Sequence, residues 1–305
     1  MNRRPGFLGR DLAREQKAFL RRDRSRWDEH LARIRAFLGE GLQTAGLGGS
    51  ALILGAGSGL EVPWALAGPG TVGWDADPWS RWRTALRHRR WPPWVFADLT
   101  GGLEALADLA WRATHHPGSA RVREGAVARR RLAGLLPELD PQARPLAAWI
   151  REHRPGTILA ANVMGQFGVV ARRAVERAFQ GVWPWTADPE LPDPLAEAVD
   201  AWTARAIGSF LAVLADSGAD LWLVHDRGVL FGDVPVTLGP MADSWVDQLR
   251  GRGDLEASDP LCGVQVLQAC RGRAGTRCAR WIWPVAEGQT HVMEALRFPP
   301  SKVDS

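Results

Sequence analysis

The stretch LILGAGSGLE, residues 52–61, decides the fold of this chain. A short apolar run passes directly into three glycines at alternate positions, and a helix is expected to begin near 61–66. Glycine permits the tight turn between a buried strand and a helix, and it lets the backbone approach a ligand without interference from a Cβ atom. A helix N-terminus would favour a negative or polar group there. The stretch predicts a strand, Ala51–Leu54, followed by a ligand-binding loop at 55–59.

Two aspartates extend the glycine pattern into a candidate nucleoside site. Asp75 lies twenty residues after Gly55 and ends the next predicted strand, Thr71–Trp74. Asp98 ends the strand after that, predicted at 94–97. The carboxyl ends of parallel strands meet along one crevice, where Asp75 can accept hydrogen bonds from both ribose hydroxyls and Asp98 from an adenine amino group. The alternative is a structural loop beside two ordinary strand-end aspartates.

Strands and helices alternate along most of the chain. Further strands are predicted at 157–161, 221–224, 264–269, 279–284 and 291–298, and helices at 10–40, 78–89, 103–112, 126–136, 147–153 and 195–217. Such alternation is typical of a parallel sheet, whereas the last two strands, with little helix between them, favour an antiparallel hairpin. The expected fold is α/β, a Rossmann-like, doubly wound and mostly parallel sheet with an antiparallel C-terminal edge hairpin.

The domain organisation follows from where this alternation begins. Residues 1–48 are expected to form an N-terminal helical segment with a basic arm, and residues 49–305 the Rossmann-like domain, with insertions near 115–145 and 180–195. Residues 1–26 carry nine basic and three acidic side chains, a net charge of +6, so the remainder carries about −2 of the total +4. The arm is either a solvated helix or a segment that attracts phosphates.

The composition is that of a globular protein, and we expect a cytoplasmic one. Hydrophobic residues make up 46% and charged residues 24% of the 305 positions, close to the average. No apolar run approaches the roughly 20 residues of a membrane span, and no apolar region follows the basic N-terminus as in a secretory signal. We therefore expect no membrane partner. Three cysteines without metal-site spacing favour reduced structural thiols, so we expect no metal site either.

Three short motifs carry a resemblance to a known family. The runs LILGAGSG, VGWDAD and VFADLT resemble the first three motifs of class I S-adenosylmethionine-dependent methyltransferases, and the terminal strand pair is similar to that family's last two strands. The resemblance is good over residues 50–100 and loose over 157–298. The chain resembles in particular a loosely characterised bacterial branch of this family. That branch has an Asn-containing segment after the fourth strand, here 162–166, and a Trp-rich strand before the last one, here 281–284. The resemblance implies S-adenosylmethionine as the cofactor.

The glycine spacing favours a methyl donor over a dinucleotide. The dinucleotide fingerprint GxGxxG has its third glycine where this chain has Leu60, and here that glycine comes one residue early. The chain also departs from the methyltransferase pattern, because Ile53 stands where the family often has an acidic residue just before the glycines. The contact toward the methionine end of the cofactor would then come from Glu61 or Asn162.

The acceptor side offers fewer signals. Asn162 follows the fourth predicted strand in a chain with two asparagines, and His225 ends the fifth. Both are candidate catalytic residues, although Asn162 equally suits a cap for the next helix and a lone histidine is often structural; His291 is a weaker candidate base. The predicted substrate contacts are Gln166, Trp183 and Trp185. The predicted cofactor-binding residues are Gly55, Ala56, Gly57, Gly59, Glu61, Asp75, Ala76, Asp98, Leu99 and Asn162.

Three functions remain open on the sequence. The first is methyl transfer from S-adenosylmethionine to a small molecule. The second is methylation of RNA, for which the basic arm and the arginines at 81–90 and 121–131 would supply the charge. The third is an aminopropyl-type transferase or a cofactor-binding regulatory protein, because a fold does not fix a function. The oligomeric state leaves no mark on the sequence.

Overall fold

A computed structural model gives the fold of the chain. The structure describes residues 24–46, 48–57, 59–114, 124–179, 193–232, 256–258 and 276–300. The strands in these ranges are β1 (Ala51–Leu54), β2 (Thr71–Trp74), β3 (Trp94–Val95), β4 (Thr157–Ala161), β5 (Asp220–Phe231), β6 (Glu256–Ser258), β7 (Thr276–Ala286) and β8 (Gln289–Phe298). The α-helices are α1 (Arg24–Ala45), α2 (Ser80–His88), α3 (Leu103–Thr114), α4 (Glu124–Leu135), α5 (Arg144–His153), α6 (Gly165–Ala178) and α7 (Pro194–Ala215).

These strands form one sheet. Seven of them are neighbours in the order β3-β2-β1-β4-β5-β8-β7, and β6 pairs with the last residues of β5. β1 to β5 run parallel, whereas β8 runs antiparallel between β5 and β7. The predicted α/β fold, with a mostly parallel sheet and antiparallel strands at its C-terminal edge, is confirmed.

Side chains of the central strands alternate between two hydrophobic layers. Leu52 and Leu54 of β1 lie in the first layer, whereas Ala51 and Ile53 lie in the second. Helices α3 to α7 cover the first layer, and α1 with the 3-10 turn at Trp64–Leu66 covers the second. Because both faces are covered, β1 and β4 are buried along their whole length, which explains their nearly continuous apolar sequences.

Helix α1 joins the sheet through a buried aromatic cluster. His30 stacks on Trp283 of β7 with ring centroids 3.8 Å apart, and Trp27 meets the same indole edge-on at 4.6 Å. Nε1 of Trp281 donates a hydrogen bond to Nδ1 of His30 over 3.1 Å. Gly41 lets the helix approach the sheet further along, since a Cβ atom there would lie 2.9 Å from a β4 side chain. The described part of the predicted N-terminal segment therefore packs directly on the sheet.

Within the described residues, α7 is the one helix whose length and hydropathy would suit a membrane span. Its Trp202, Phe210 and Leu214 are fully buried in the first layer. Asp193 caps its N-terminus by accepting from two backbone N–H groups of the first turn, and the same carboxylate pairs with Arg129 of α4 at 2.8 Å. These contacts make α7 a core helix of the layer that it helps to form.

The helix predicted over 61–66 is wrong. A single 3-10 turn, Trp64–Leu66, takes its place before β2. Pro63 disfavours the α conformation at the residue before it, and Pro69 between two glycines ends the segment, so one turn is all that the connection holds. The favourable helix end expected beside the glycine loop is therefore absent from the described connection.

Two further elements differ from the sequence prediction. Strand β5 continues to Phe231 rather than ending at Val224, because the polar residues after Val224 pair with β8. Helix α6 is the helix expected after Asn162, but the sequence does not predict its bounds, since glycines at 165 and 168 obscure the apolar period of its first turns. The predicted strand at 264–269, the helix at 10–23 and most of the insertion at 180–195 lie outside the described residues.

The stability of the α1 packing should depend on pH through His30. Burial, assisted by the nearby His291, lowers the pKa of His30 to about 3. The unfolded chain therefore binds this proton first, and stability is lost as pH falls below the ordinary histidine pKa of about 6.5. Between pH 7 and pH 5 we expect the unfolding free energy to fall by about 2 kcal/mol more than in His30→Gln. Urea unfolding of both proteins measures the difference.

The exposed His153 on α5 offers a matched control. His153→Gln should follow the pH dependence of the unsubstituted protein within about 0.5 kcal/mol, as surface substitutions usually do. A His30→Gln protein that loses as much stability between pH 7 and pH 5 as the unsubstituted protein would contradict the assignment of this pH dependence to the α1 cluster.

Candidate functional site

The sheet opens a crevice between the carboxyl ends of β1 and β4. The chain moves from β1 outward to β2 and β3, and then returns to β4 and β5 on the other side. Connections that leave two adjacent parallel strands in opposite directions leave a gap, the expected ligand site of an open α/β sheet. The glycine loop, residues 55–59, follows β1, and Asn162 follows β4. We call this gap the β1/β4 crevice.

The glycine loop needs its glycines for two separate reasons. Gly55, Gly57 and Gly59 have φ values of 62°, 51° and 68°, a left-handed conformation that other residues rarely adopt. A Cβ atom at Gly55 would also lie 2.5 Å from Cγ2 of Val163, directly across the crevice. The loop is therefore a bare backbone surface that runs close against the segment after β4.

Asp75 lies beside the loop, where the sequence places it. Its Oδ2 accepts a hydrogen bond from the backbone N–H of Gly57 over 2.8 Å, and its Oδ1 accepts from the N–H of Asp77 over 2.7 Å. Burial raises the pKa of Asp75 to about 6 against the opposing effect of these two bonds. Each carboxylate oxygen has a second lone pair, so the group can still accept from ribose hydroxyls. The adjacent Ala76 is half-buried and Ala56 is buried.

The carboxylate of Asp98 uses most of its hydrogen-bonding capacity for contacts within the fold. Its carboxylate accepts from the N–H and hydroxyl groups of Thr100 and from the N–H groups of Gly102 and Leu103 at the start of α3. Oδ2 takes three of these bonds, at 2.7, 3.1 and 2.8 Å. An adenine amino group would therefore have to bind at Oδ1. The neighbouring Leu99 side chain is buried.

Arginines flank the loop in place of the missing helix end. Nε of Arg35 on α1 donates to the carbonyl oxygen of Leu60 over 2.8 Å. Burial, followed by the charges of Arg35 and Arg83, lowers the pKa of Arg87, so three guanidinium groups from α1 and α2 are electrostatically coupled. Basic side chains of α1 and α2, of which Arg83 is paired with the carboxylate of Asp77, thus lie near the loop for which a helix N-terminus was expected.

Asn162 has an unusual conformation at the other wall of the crevice. Its φ is 52°, its side chain is buried, and its Oδ1 has no hydrogen-bond partner within the described part of the chain. Helix α6 begins after Met164 with no side-chain cap, so the amide of Asn162 does not cap it. An unpartnered buried oxygen is costly, and here it lies at the crevice. Gln166, in the first turn of α6, is half-buried.

A carboxylate that the sequence did not single out faces Asn162. A Cβ atom on Gly165 would lie 2.7 Å from Oδ2 of Asp226 and 3.0 Å from Oδ1 of Asn162, so the two oxygens share the bare side of this glycine. Oδ1 of Asp226 is 2.9 Å from Nδ1 of His291 on β8. Burial and then the charge of Asp226 raise the pKa of Glu61 to about 7, with Arg35 opposing. Three hydrogen-bond-accepting side chains thus converge here.

His225 lies on the opposite face of β5 from Asp226. It is fully buried, and its Nε2 is 3.4 Å from Oε2 of Glu294, which also pairs with Arg280 at 2.8 Å. Burial alone would raise the pKa of Glu294, but His225 and Arg280 outweigh it and lower that pKa to about 2. We name these three residues the buried ladder. The geometry therefore does not favour His225 as a base at the crevice.

Two of the predicted substrate contacts are tryptophans of the insertion near 180–195. Trp183 and Trp185 lie outside the described residues. In the part of the chain that the structure describes, no group of three or more His, Cys, Asp or Glu side chains could hold a metal ion. Asp226 could have been found from the sequence, because it follows His225 directly and strand neighbours point to opposite faces. His291 was noted as a candidate base, and the structure adds its partner.

No protein-family model matches the chain, and no curated protein matches it in sequence. The function must therefore be inferred from the crevice and its side chains.

The close approach of the loop to Val163 predicts an unequal cost for two glycine substitutions. Gly46, at the end of α1, has φ 70° and nothing within 4 Å of a would-be Cβ atom, so Gly46→Ala should cost about 1–2 kcal/mol for its conformation alone. Gly55→Ala has a similar φ and should cost a further 1–3 kcal/mol, because the new methyl group overlaps Val163. Urea unfolding measures both costs.

A third protein separates conformation from overlap. Val163→Ala removes the nearest atom, Cγ2, and should restore part of the stability lost in Gly55→Ala. Equal losses in the two single glycine variants, or no recovery in the double variant, would show that the loop does not press against the segment after β4.

Proposed function

We propose that this chain is an S-adenosylmethionine-dependent methyltransferase with a Rossmann-like fold. One observation carries the proposal: the glycine loop, Asp75 and the unpartnered Oδ1 of Asn162 border a single crevice at the reversal of strand order. A nucleoside with a polar amino-acid tail fits this set, because it offers hydroxyls to a carboxylate at one end and N–H donors to an amide oxygen at the other. The resemblance of the motifs in 50–100 to class I methyltransferases supports the same cofactor.

The residues present fit that cofactor. Asp75 would hold the ribose, the bare backbone of residues 55–59 would lie along the nucleoside, and Asn162 would accept from the ammonium group of the methionine end. Asn162 would then replace the acidic residue that Ile53 displaces. When bound, S-adenosylmethionine supplies an electrophilic methyl group, and the protein's task is to orient the acceptor and remove its proton.

Glu61 is the side chain best suited to remove that proton. A general base works best when its pKa lies near the working pH, and the pKa of Glu61 is about 7. His291 holds Oδ1 of Asp226, which keeps the negative charge of Asp226 beside the crevice and Glu61 basic. Asp226 and His291 thus act as positioning residues, and Glu61 accepts the proton.

Titration calorimetry with S-adenosylmethionine and its demethylated product tests the cofactor. Both should bind, whereas NAD should not, because Leu60 occupies the position of the third dinucleotide glycine. A protein that binds neither adenosyl compound would sink the proposal. Binding without transfer to a broad panel of amines, hydroxyls and carboxylates would favour a regulatory cofactor-binding protein, and transfer of an aminopropyl group from the decarboxylated cofactor would favour that class of transferase.

Cofactor binding should weaken in acid because of Asp75. Its pKa of about 6 means that the carboxyl group gains a proton below pH 6, and the neutral group accepts ribose hydroxyls less well. We expect the Kd of the demethylated cofactor to rise about fivefold between pH 6 and pH 5. Asp75→Asn should bind about 10–100-fold more weakly at pH 7.5 and lose this pH dependence, as for one lost hydrogen bond to a charged group.

The exposed Asp108 on α3 provides the control for charge. Asp108→Asn should match the unsubstituted protein at every pH. If Asp75→Asn keeps the same affinity and the same acid dependence as the unsubstituted protein, the ribose is held elsewhere.

Removal of the proposed base should separate catalysis from binding. With an acceptor from the panel, Glu61→Gln should lower kcat by about 10²–10⁴-fold and abolish the fall in rate below pH 7. The Kd of the demethylated cofactor should stay within about threefold, while Glu40→Gln, an exposed substitution on α1, should change neither quantity. Loss of cofactor affinity with kcat preserved would instead place Glu61 at the methionine end of the cofactor.

A further inference from the structure

The surface of α2 carries an unusual concentration of exposed aromatic side chains. Trp79 and Trp82 are each 47% exposed, Leu86 is 62% exposed, and Trp91 on the way to β3 is 61% exposed. The first three follow one another at helical spacing along one face of α2, whereas Ser80, Thr84 and Ala85 face inward. Contiguous exposed apolar surface commonly marks an interaction site. We call these four residues, with the arginines among them, the α2 surface.

The α2 surface is basic, and the acidic side chain that adjoins it, Asp77, is buried and paired with Arg83. Residues 78–97 contain five arginines and no aspartate or glutamate. The guanidinium group of Arg81 lies over the ring of Trp91 at 5.4 Å. Burial, followed by the charges of Arg35 of α1 and Arg83, lowers the pKa of Arg87, so like charges lie close together here. A polyanion would relieve this repulsion, so the surface is complementary to one.

We propose that the α2 surface binds single-stranded nucleic acid. Unpaired bases stack on exposed indoles, and arginines between them neutralise the phosphates. A second copy of the chain would bring one basic surface against another, and an acidic peptide would leave the indole faces without flat partners. Base-paired strands hide the faces that indoles need. The inference concerns binding alone and does not depend on methyl transfer at the β1/β4 crevice.

Fluorescence anisotropy with labelled 20-nucleotide single-stranded RNA and DNA, and a hairpin duplex, tests the proposal on the full chain. At 50 mM salt we expect Trp79→Ala/Trp82→Ala to raise the Kd for single strands at least about tenfold, since each stacked base is lost. Arg87→Gln/Arg89→Gln should reduce the slope of log K against log salt by about 1. Trp111→Ala, which removes an exposed indole from α3, should leave the Kd unchanged.

Because every variant keeps residues 1–23, any contribution of the basic arm is common to all of them. The comparison of single-stranded RNA with single-stranded DNA shows which sugar is preferred, and either preference supports the proposal. Undetectable binding at 50 mM salt would overturn it, as would equal losses in the α2 and α3 tryptophan variants. Tighter binding of polyglutamate, or of vesicles containing anionic phospholipid, with the same sensitivity to the α2 variants would replace nucleic acid by that partner. Thermal unfolding confirms that each variant is folded.

Discussion

The structure depends on how closely the loop after β1 approaches the segment after β4. Hydrogen atoms of Gly55 occupy the space where any side chain would overlap Val163. The loop turns left-handed at its glycines, and this turn directs the N–H of Gly57 to Asp75. On the other side of the contact, Asn162 and Gly165 lie at the crevice, with Asp226 behind them. Polar groups that follow or lie on four strands, β1, β2, β4 and β5, thus meet where this steric constraint applies.

Electrostatics beside the glycine loop depend on side chains rather than on a helix end. A helix N-terminus contributes about half an elementary charge spread over its first turn. Here the charge comes instead from three coupled arginines, of which Arg83 is paired with the carboxylate of Asp77. Because Arg35 belongs to α1 and Arg83 and Arg87 belong to α2, this charge depends on the packing of both helices on the second layer. The stacking of His30 on Trp283 is therefore linked to the environment of the loop.

The sequence predicts the central strands well and the polar network poorly, for physical reasons. β1, β2 and β4 have the expected bounds because strands buried on both faces need apolar residues throughout. His225, Asp226 and Arg227 look like the end of a strand, yet β5 continues through them because Glu294 and His291 on β8 supply partners 65 residues or more away in sequence. Side chains that become compatible with a strand only through such distant pairing leave no local pattern. Asn162 stands out in the sequence because the chain has two asparagines, whereas its unpartnered oxygen becomes visible in the three-dimensional structure alone.

The buried ladder of Arg280, Glu294 and His225 has a consequence for how the C-terminal hairpin chooses its alignment. The period of a strand is two residues, so a slip by one position would turn Glu294 to the face opposite its partners. An ion left buried without its counter-charge costs about 3–5 kcal/mol, although the intact pair adds little over an apolar substitute. The buried ladder thus favours a single register among β7, β8 and β5. A hairpin shifted by one residue would therefore be less stable than the observed alignment by about that amount.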